Sequence, residues 1–392
     1  MFFLKKVKLL IKNHHCLYHT YLYFSQFIIG MMKFILKPKK GQILFISFNG
    51  DRFDDSPKAI YDYMINDEFF NDYEFIWAFQ NPSQFHILRG KKISFDSFKY
   101  FYYAMTSQVW ITNVAVERGL AFKHKDTIYI NTWHGTPLKN IDNEKAKNKN
   151  HFSQIDIMCA QSCFDQNIFS DIFHIKKENI LCCDLPRNDI LCQDNQDKIK
   201  KIKKDLNVPV NKKVILYMPT YREYQVDKNG MIIFDMPIDF KKWYHYLKDD
   251  YIILFRAHYL VDKVVDYEHI DFIKSVSKYP VLNELFLISD LLISDYSSAY
   301  FDYSILNKPM FCFAYDYQEY LDKRGLYMDL NILPCQIHYN EDSLLDDLLH
   351  FSYTEACKKT KEFQEKFASH CGNASQCVVE TLKNKLNGGI NQ

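Results

Sequence analysis

SDYSSAYFDYSILNKP, Ser294 to Pro309, is the stretch on which the fold turns. The apolar run Leu291–Ser294 stops at Asp295-Tyr296-Ser297-Ser298, and a helical pattern in Tyr300, Phe301, Tyr303, Ile305 and Leu306 follows. The reading is a strand, a turn of small residues and a helix. A helix opening at two serines aims free N–H groups and two hydroxyls at one spot, which suits a phosphate. An ordinary helix capped by serine explains the same letters, and taken alone the stretch favours that simpler account.

Working outward, the same alternation of buried strand and helix recurs along the chain. Gln42–Phe48, Glu74–Phe79, Gln108–Thr112, Thr127–Asn131 and Asp156–Ala160 read as buried parallel strands, and a second series comprises Lys213–Pro219, Tyr251–His258, Leu291–Ser294 and Met310–Asp316. The expectation is two α/β domains in tandem, at 41–205 and 206–392, divided near the lysine-rich helical segment Asn195–Lys213. Open sheets of this kind take ligands at the carboxyl ends of their strands, so polar turns there are expected to face a common cleft. The segment after Asn340 is mostly helical, and its last helices are free to return to the first domain.

At 392 residues the chain is long enough for two full cores. A net charge of +1, with 25% charged and 47% hydrophobic residues, points neither to nucleic acid nor to a disordered chain. The eleven cysteines scatter without any CxxC pair, which reads as reduced thiols in a cytoplasmic protein, neither a disulfide framework nor a zinc site. Residues 1–40 mix lysine and histidine with apolar and aromatic side chains. Polar residues interrupt the apolar middle, Cys16–Leu36, so an amphipathic segment on an anionic membrane surface fits better than a span; a buried helix of the first domain is the equal alternative. No cleavable leader is expected.

Arginine is scarce, at Arg52, Arg89, Arg118, Arg187, Arg222, Arg256 and Arg324, and several of these fall at expected strand ends. Its planar fork grips phosphate in a way lysine cannot. After the strand ending at Asn131 comes TWHGTPLKNI, Thr132 to Ile141, where glycine and proline must break the strand and leave His134 at a turn. His134 suits a general base, Gly135 admits a ligand close to the backbone, Thr136 accompanies them and Lys139 adds charge. YMPTYRE places Thr220 and Arg222 at the next such end, FRAHYL places Arg256 and His258 on one side of an extended segment, and LPRND places Arg187 after a proline turn. The sum is a polyphosphate-bearing ligand. No GxxxxGK[ST] or GxGxxG occurs, and no acidic cluster is spaced for a catalytic metal, so cations and helix termini would neutralise the phosphates.

Together WHGTPLK, LPRND, PTYR, FRAH and SDYSSAYFDY…KPMFCFAYD, with SFNGDRFDDSPKAIYDYM after the first strand, resemble the CDP-glycerol glycerophosphotransferases, the family of the wall teichoic acid primases and polymerases. The resemblance covers about Ser47 to Gly325. It implies a two-domain GT-B fold on the cytoplasmic face of a membrane, with CDP-glycerol bound by the C-terminal domain, a lipid-linked glycan or polyol-phosphate acceptor, and CMP released. Mg2+ would enter only with the nucleotide donor. The resemblance matches His134 and His258 to the family's two histidines. His134 is then the base and His258, with Arg256, stabilises pyrophosphate charge, or the two exchange roles. Ser297 and Ser298, beside Asp295, match the phosphate turn, with Thr220 and Arg222 near; Arg187 lines the cleft, and Asp302 and Asp316 are candidates for ribose or cytosine. The chain departs from the common pattern at Asp184, where a glycine usually stands, and at Tyr259. Transfer from CDP-ribitol, glycosyl transfer from a nucleotide sugar, and a silent binding subunit of a capsule-assembly system are the alternatives; the two retained histidines speak against the last.

Overall fold

Two parallel sheets form where the sequence carries its apolar runs. The first contains β1 (Lys39–Ile46), β2 (Glu74–Phe79), β3 (Lys91–Ser94), β4 (Ser107–Thr112), β5 (Ile128–Asn131), β6 (Ile157–Ala160) and β7 (Ile180–Cys182), in the order β3-β2-β1-β4-β5-β6-β7. The second contains β8 (Lys213–Met218), β9 (Tyr251–Phe255), β10 (Ile273–Ser275), β11 (Leu291–Ser294), β12 (Met310–Phe313) and β13 (Ile337–His338), in the order β10-β9-β8-β11-β12-β13. The structure, a computed structural model, describes residues 15–117, 120–141, 154–220, 222, 224–225, 236–257 and 271–388. Strand order reverses between β1 and β4 and again between β8 and β11, and the carboxyl ends at such switch points are where doubly wound sheets bind ligands.

Both faces of the second sheet are covered, which is why its strands are apolar throughout rather than alternating. Val214, Leu216, Ile252, Leu254 and Leu292 pack into one core, and their neighbours Ile215, Tyr217, Ile253, Phe255 and Ile293 into the other. Each such side chain contributes about 1.5–3 kcal/mol by leaving water. In the first sheet Ile43 to Ile46 are at most 1% exposed, and Phe45 stacks on Trp77 at 5.1 Å.

The described residues divide into two compact units, 15–134, 154–158 and 170–180 against 135–141, 159–169 and 181–388. The lysine-rich segment does form the expected helix, Gln196–Asp205, which puts Ile202 into the core of the second unit. Phe363 and Phe367 of the helix Tyr353–Phe367 meet Phe301 at 5.4 and 5.7 Å, and Phe367 also meets Phe164 at 5.8 Å.

Candidate active site

In the first unit the chain leaves β5 through a strained turn, with Trp133 at φ 51°. Asn131 holds it: its side chain accepts the Trp133 N–H at 2.8 Å and donates to the Val114 carbonyl at 3.0 Å. His134 is half-buried, stacked on Trp133 at 4.3 Å, with the Phe48 ring at 6.0 Å. Its Nδ1 lies 3.0 Å from the carbonyl oxygen of Asn113. A carbonyl only accepts, so Nδ1 carries the proton and the neutral ring keeps its lone pair on Nε2, as a general base requires. Asn113, the residue after β4, also accepts the Phe48 N–H through its side chain at 2.9 Å. It thereby fixes the loop after β1, where Phe48 and Asn49 take φ 44° and 56°. Three strand ends at the switch point meet on this one asparagine.

In the second unit Gly135, Ser298 and Arg187 converge. A Cβ on Gly135, whose φ is 137°, would fall 2.6 Å from the Ser298 Oγ and 3.1 Å from Arg187 Nη2. Only glycine fits there. The Arg187 side chain is 9% exposed, and its Nη2 donates to Asp302 Oδ2 at 2.6 Å. Asn188 Nδ2 donates to the other Asp302 oxygen at 2.8 Å, while Asn283 Nδ2 reaches the Arg187 carbonyl and Asn188 Oδ1, both at 2.9 Å. Asp302 is therefore buried beneath Arg187 as its counter-ion, which corrects the expected contact to ribose or base.

The serine turn is less of a helix terminus than its sequence suggests. The helix Ala299–Ser304 has six residues, and Ser297 Oγ already accepts the Ala299 N–H at 3.1 Å. So short a helix has a weak dipole. Beside it, Ser298, Arg187 and the bare backbone at Gly135 stand together.

Arg222, expected to grip phosphate, is 1% exposed and commits all five of its donors within the protein. Nε and Nη2 form a fork on Asp316 at 2.7 and 2.9 Å, Nη2 also reaches Asp295 at 3.0 Å, and Nη1 lies 2.6 Å from both Thr220 oxygens. The Tyr296 and Tyr320 rings lie 4.9 and 5.0 Å from the guanidinium. Burial opposes the charge, but Asp295 and Asp316 more than offset it and hold the guanidinium ionised. Thr220, Arg222, Asp295 and Asp316, expected as separate ligand contacts, are thus one buried network tying the ends of β8, β11 and β12.

Thr136 is fully buried, its hydroxyl 2.7 Å from Gln161 Oε1 and 3.2 Å from Asp165, so it is structural rather than ligand-facing. Lys139 is half-buried and its backbone bridges to Leu326. Arg256 donates to the carbonyls of Val276 and Tyr279 at 3.1 and 2.7 Å, and His258 lies outside the described residues. Sequence reasoning missed Asn113, Asn188 and Asn283. Asn188 carried a signal, standing beside Arg187 within LPRND.

Below this cluster Asp184 stands at φ 70°, fully buried, with Oδ1 accepting from Gln161, the Leu185 N–H and Asn188 at 3.0, 2.6 and 2.9 Å. Burial pushes its carboxyl up to about 7 against these hydrogen bonds, and burial lifts Asp165 to about 6. The folded state therefore binds these protons more tightly than the unfolded chain. The stabilisation is complete below the ordinary carboxyl value of 3.8 and is lost as pH rises through about 7. The unfolding midpoint is expected to fall between pH 5 and pH 8, and less steeply in Asp184→Asn; equal slopes in calorimetry would contradict this.

Residues 28–384 match the family model of the CDP-glycerol:poly(glycerophosphate) glycerophosphotransferases. The chain is 37% identical to a teichoic acid poly(glycerol phosphate) polymerase of Staphylococcus epidermidis over 88% of its own length, but spans only 51% of that relative. It is 35% identical to a teichoic acid glycerol-phosphate transferase of Staphylococcus aureus, covering 88% of this chain and 93% of the relative. Among solved structures, a histidine-to-alanine variant of the wall teichoic acid polymerase TagF superposes with a TM-score of 0.83 at 34% identity over 91% of each chain.

Proposed function

The chain belongs to the CDP-glycerol:poly(glycerophosphate) glycerophosphotransferase family, and from that premise we propose that it moves glycerol phosphate from CDP-glycerol to a hydroxyl of a teichoic acid polymer, releasing CMP. The observation that carries the reading is the convergence of Arg187, Ser298 and the bare backbone of Gly135, one residue along the chain from His134. Arg187, oriented by Asp302, and the Ser298 hydroxyl take the phosphate oxygens of the donor. Nε2 of His134 takes the proton of the acceptor hydroxyl as its oxygen attacks the glycerol-bearing phosphorus; the bond to CMP breaks in line, and CMP leaves with the electron pair. Catalysis is then positioning and charge compensation. His258 is the second histidine of this reading, stabilising the pyrophosphate. Incubation with a panel of CDP-alditols, followed by mass spectrometry of the acceptor, tests the donor. Gain of glycerol phosphate supports the reading; gain of ribitol phosphate alone would replace the donor, and no gain from any donor would refute it.

The acceptor side is proposed to meet a membrane surface. The helix His15–Ile35 is tied to the first unit by Gln26, which accepts the Ala121 N–H at 2.9 Å, and by the buried Ile29. Tyr23, Phe24, Phe27, Met31, Phe34 and Ile35 are 50–84% exposed on one side, and Lys37, Lys39 and Lys40 follow. Among the described residues no helix is long and apolar enough to cross a membrane. An apolar face flanked by lysines suits the headgroup boundary of an anionic bilayer. Replacing Phe24, Phe27 and Phe34 with serine is expected to release the protein from anionic vesicles in flotation, since each ring contributes about 1.5–3 kcal/mol; unchanged flotation would overturn the membrane proposal.

A further inference from the structure

The scarce arginines divide by what their guanidinium groups meet. Arg222 is enclosed by carboxylates, Arg187 pairs with Asp302, Arg256 donates to two carbonyls, and Arg89 donates to the carbonyls of Phe70, Asn71 and Tyr73. Arg52 differs. Its side chain is 50% exposed, its guanidinium lies over the Phe48 ring at 4.7 Å, and among the described residues it makes no hydrogen bond. Asp54 Oδ2 stands 3.8 Å from Nη1, near enough to orient the cation but too far to hold one of its protons.

The loop after β1 that carries Arg52 lies wholly in the first unit and is pinned on both sides of it. Asn113 holds Phe48, while Gln80 donates from its side chain to the Asn49 carbonyl at 2.9 Å and from its backbone to the Gly50 carbonyl at 2.8 Å. Gly50, at φ 83°, lies so close to the end of β2 that a Cβ would fall 2.9 Å from the Ala78 carbonyl oxygen. Beyond Arg52, the Phe53 ring meets Trp77 edge-on at 4.9 Å. A guanidinium with uncommitted donors on so fixed a backbone loses little freedom when it takes a ligand.

The Phe48 ring is also the link to the catalytic base. It stands 4.7 Å from the Arg52 guanidinium and 6.0 Å from the His134 ring, so cation and imidazole are at most about 11 Å apart. We propose that Arg52 binds the phosphate of the acceptor's terminal glycerol phosphate unit and so delivers that unit's free hydroxyl to Nε2 of His134, an inference that rests on the transferase reading. Three carbons separate that hydroxyl from the phosphate ester oxygen, a reach of about 6 Å, and a hydrogen bond of about 3 Å at each end covers the separation. The planar fork takes two phosphate oxygens, and the Phe48 ring supports the cation. An acceptor ending in an uncharged sugar offers Arg52 no such partner, so the residue favours chains that already end in glycerol phosphate.

The test titrates a glycerol phosphate-ended teichoic acid against the full chain at saturating CDP-glycerol and reads CMP release. Arg52→Ala is expected to raise the KM for this acceptor about tenfold, the loss of one charge-assisted contact, with kcat and the KM for CDP-glycerol little changed. Arg52→Lys is expected to recover part of the loss. An unchanged acceptor KM in Arg52→Ala would overturn the proposal, and so would a rise in the KM for CDP-glycerol alone, which would put Arg52 on the donor. A second measurement needs no turnover: a short glycerol phosphate oligomer is added to the full chain without nucleotide and its binding followed by ligand-observed NMR. Binding is expected in wild type and in Arg187→Ala, and not in Arg52→Ala, with free glycerol binding to none of them; binding retained in Arg52→Ala would overturn the proposal. A wild-type chain that transfers nothing would sink the transferase reading, while the oligomer measurement would still decide whether Arg52 holds the phosphate.

Discussion

Replacing His134 with alanine is expected to lower turnover with CDP-glycerol by about 10²–10⁴-fold, the usual contribution of a positioned base, with little change in KM. The expectation rests on tautomer control. Because the Asn113 carbonyl accepts from Nδ1, the ring offers Nε2 as a proton acceptor without reorganising. His134→Asn removes that nitrogen but keeps a polar side chain, so it is expected to be equally inactive. The ring is half-buried, stacked on Trp133 and tilted against Phe48, and the variants are expected to keep their fold, checked by circular dichroism. A loss smaller than tenfold would take His134 out of the role of base and leave it to His258.

Arg222→Ala is expected to act through stability instead. Removing the cation leaves Asp295 and Asp316 buried, 2% and 8% exposed, with no opposing charge from that arginine. Breaking a buried ion pair from one side costs about 3–5 kcal/mol, a fall on the order of ten degrees in the unfolding midpoint. Arg222→Lys is expected to recover only part, because one ammonium cannot span the Asp316 fork, Asp295 and both Thr220 oxygens. An unchanged midpoint together with lost activity would contradict this, and would return Arg222 to direct phosphate contact.

The central strands were legible because sheets covered on both faces need unbroken apolar runs. All four strands that escaped, β3 (KKIS), β7 (ILC), β10 (IKS) and β13 (IH), are sheet edges of two to four residues. An edge strand pairs on one side only and can be short and charged, so it leaves no periodic signal. The scarcity of arginine located the strand ends but not what each guanidinium meets there. Arg187 and Arg222 stand at similar turns in sequence. What separates them is that Asp295 and Asp316, brought in by β11 and β12, enclose Arg222, whereas Arg187 meets Asp302 through an Nη2 that also lies close to Gly135. That difference is tertiary, as is the carbonyl of Asn113 behind His134, since a main-chain acceptor has no letter in the sequence. The opening serine turn was read correctly as strand, turn and helix, but the helix has only six residues, so its dipole is weak.

The most direct test is identification of the nucleotide released when the purified full chain is incubated with CDP-glycerol and a teichoic acid acceptor on anionic vesicles. The prediction is CMP, formed in step with glycerol phosphate gained by the acceptor and lost in His134→Ala. Release of a nucleoside diphosphate, or CMP formation undiminished in His134→Ala, would contradict it.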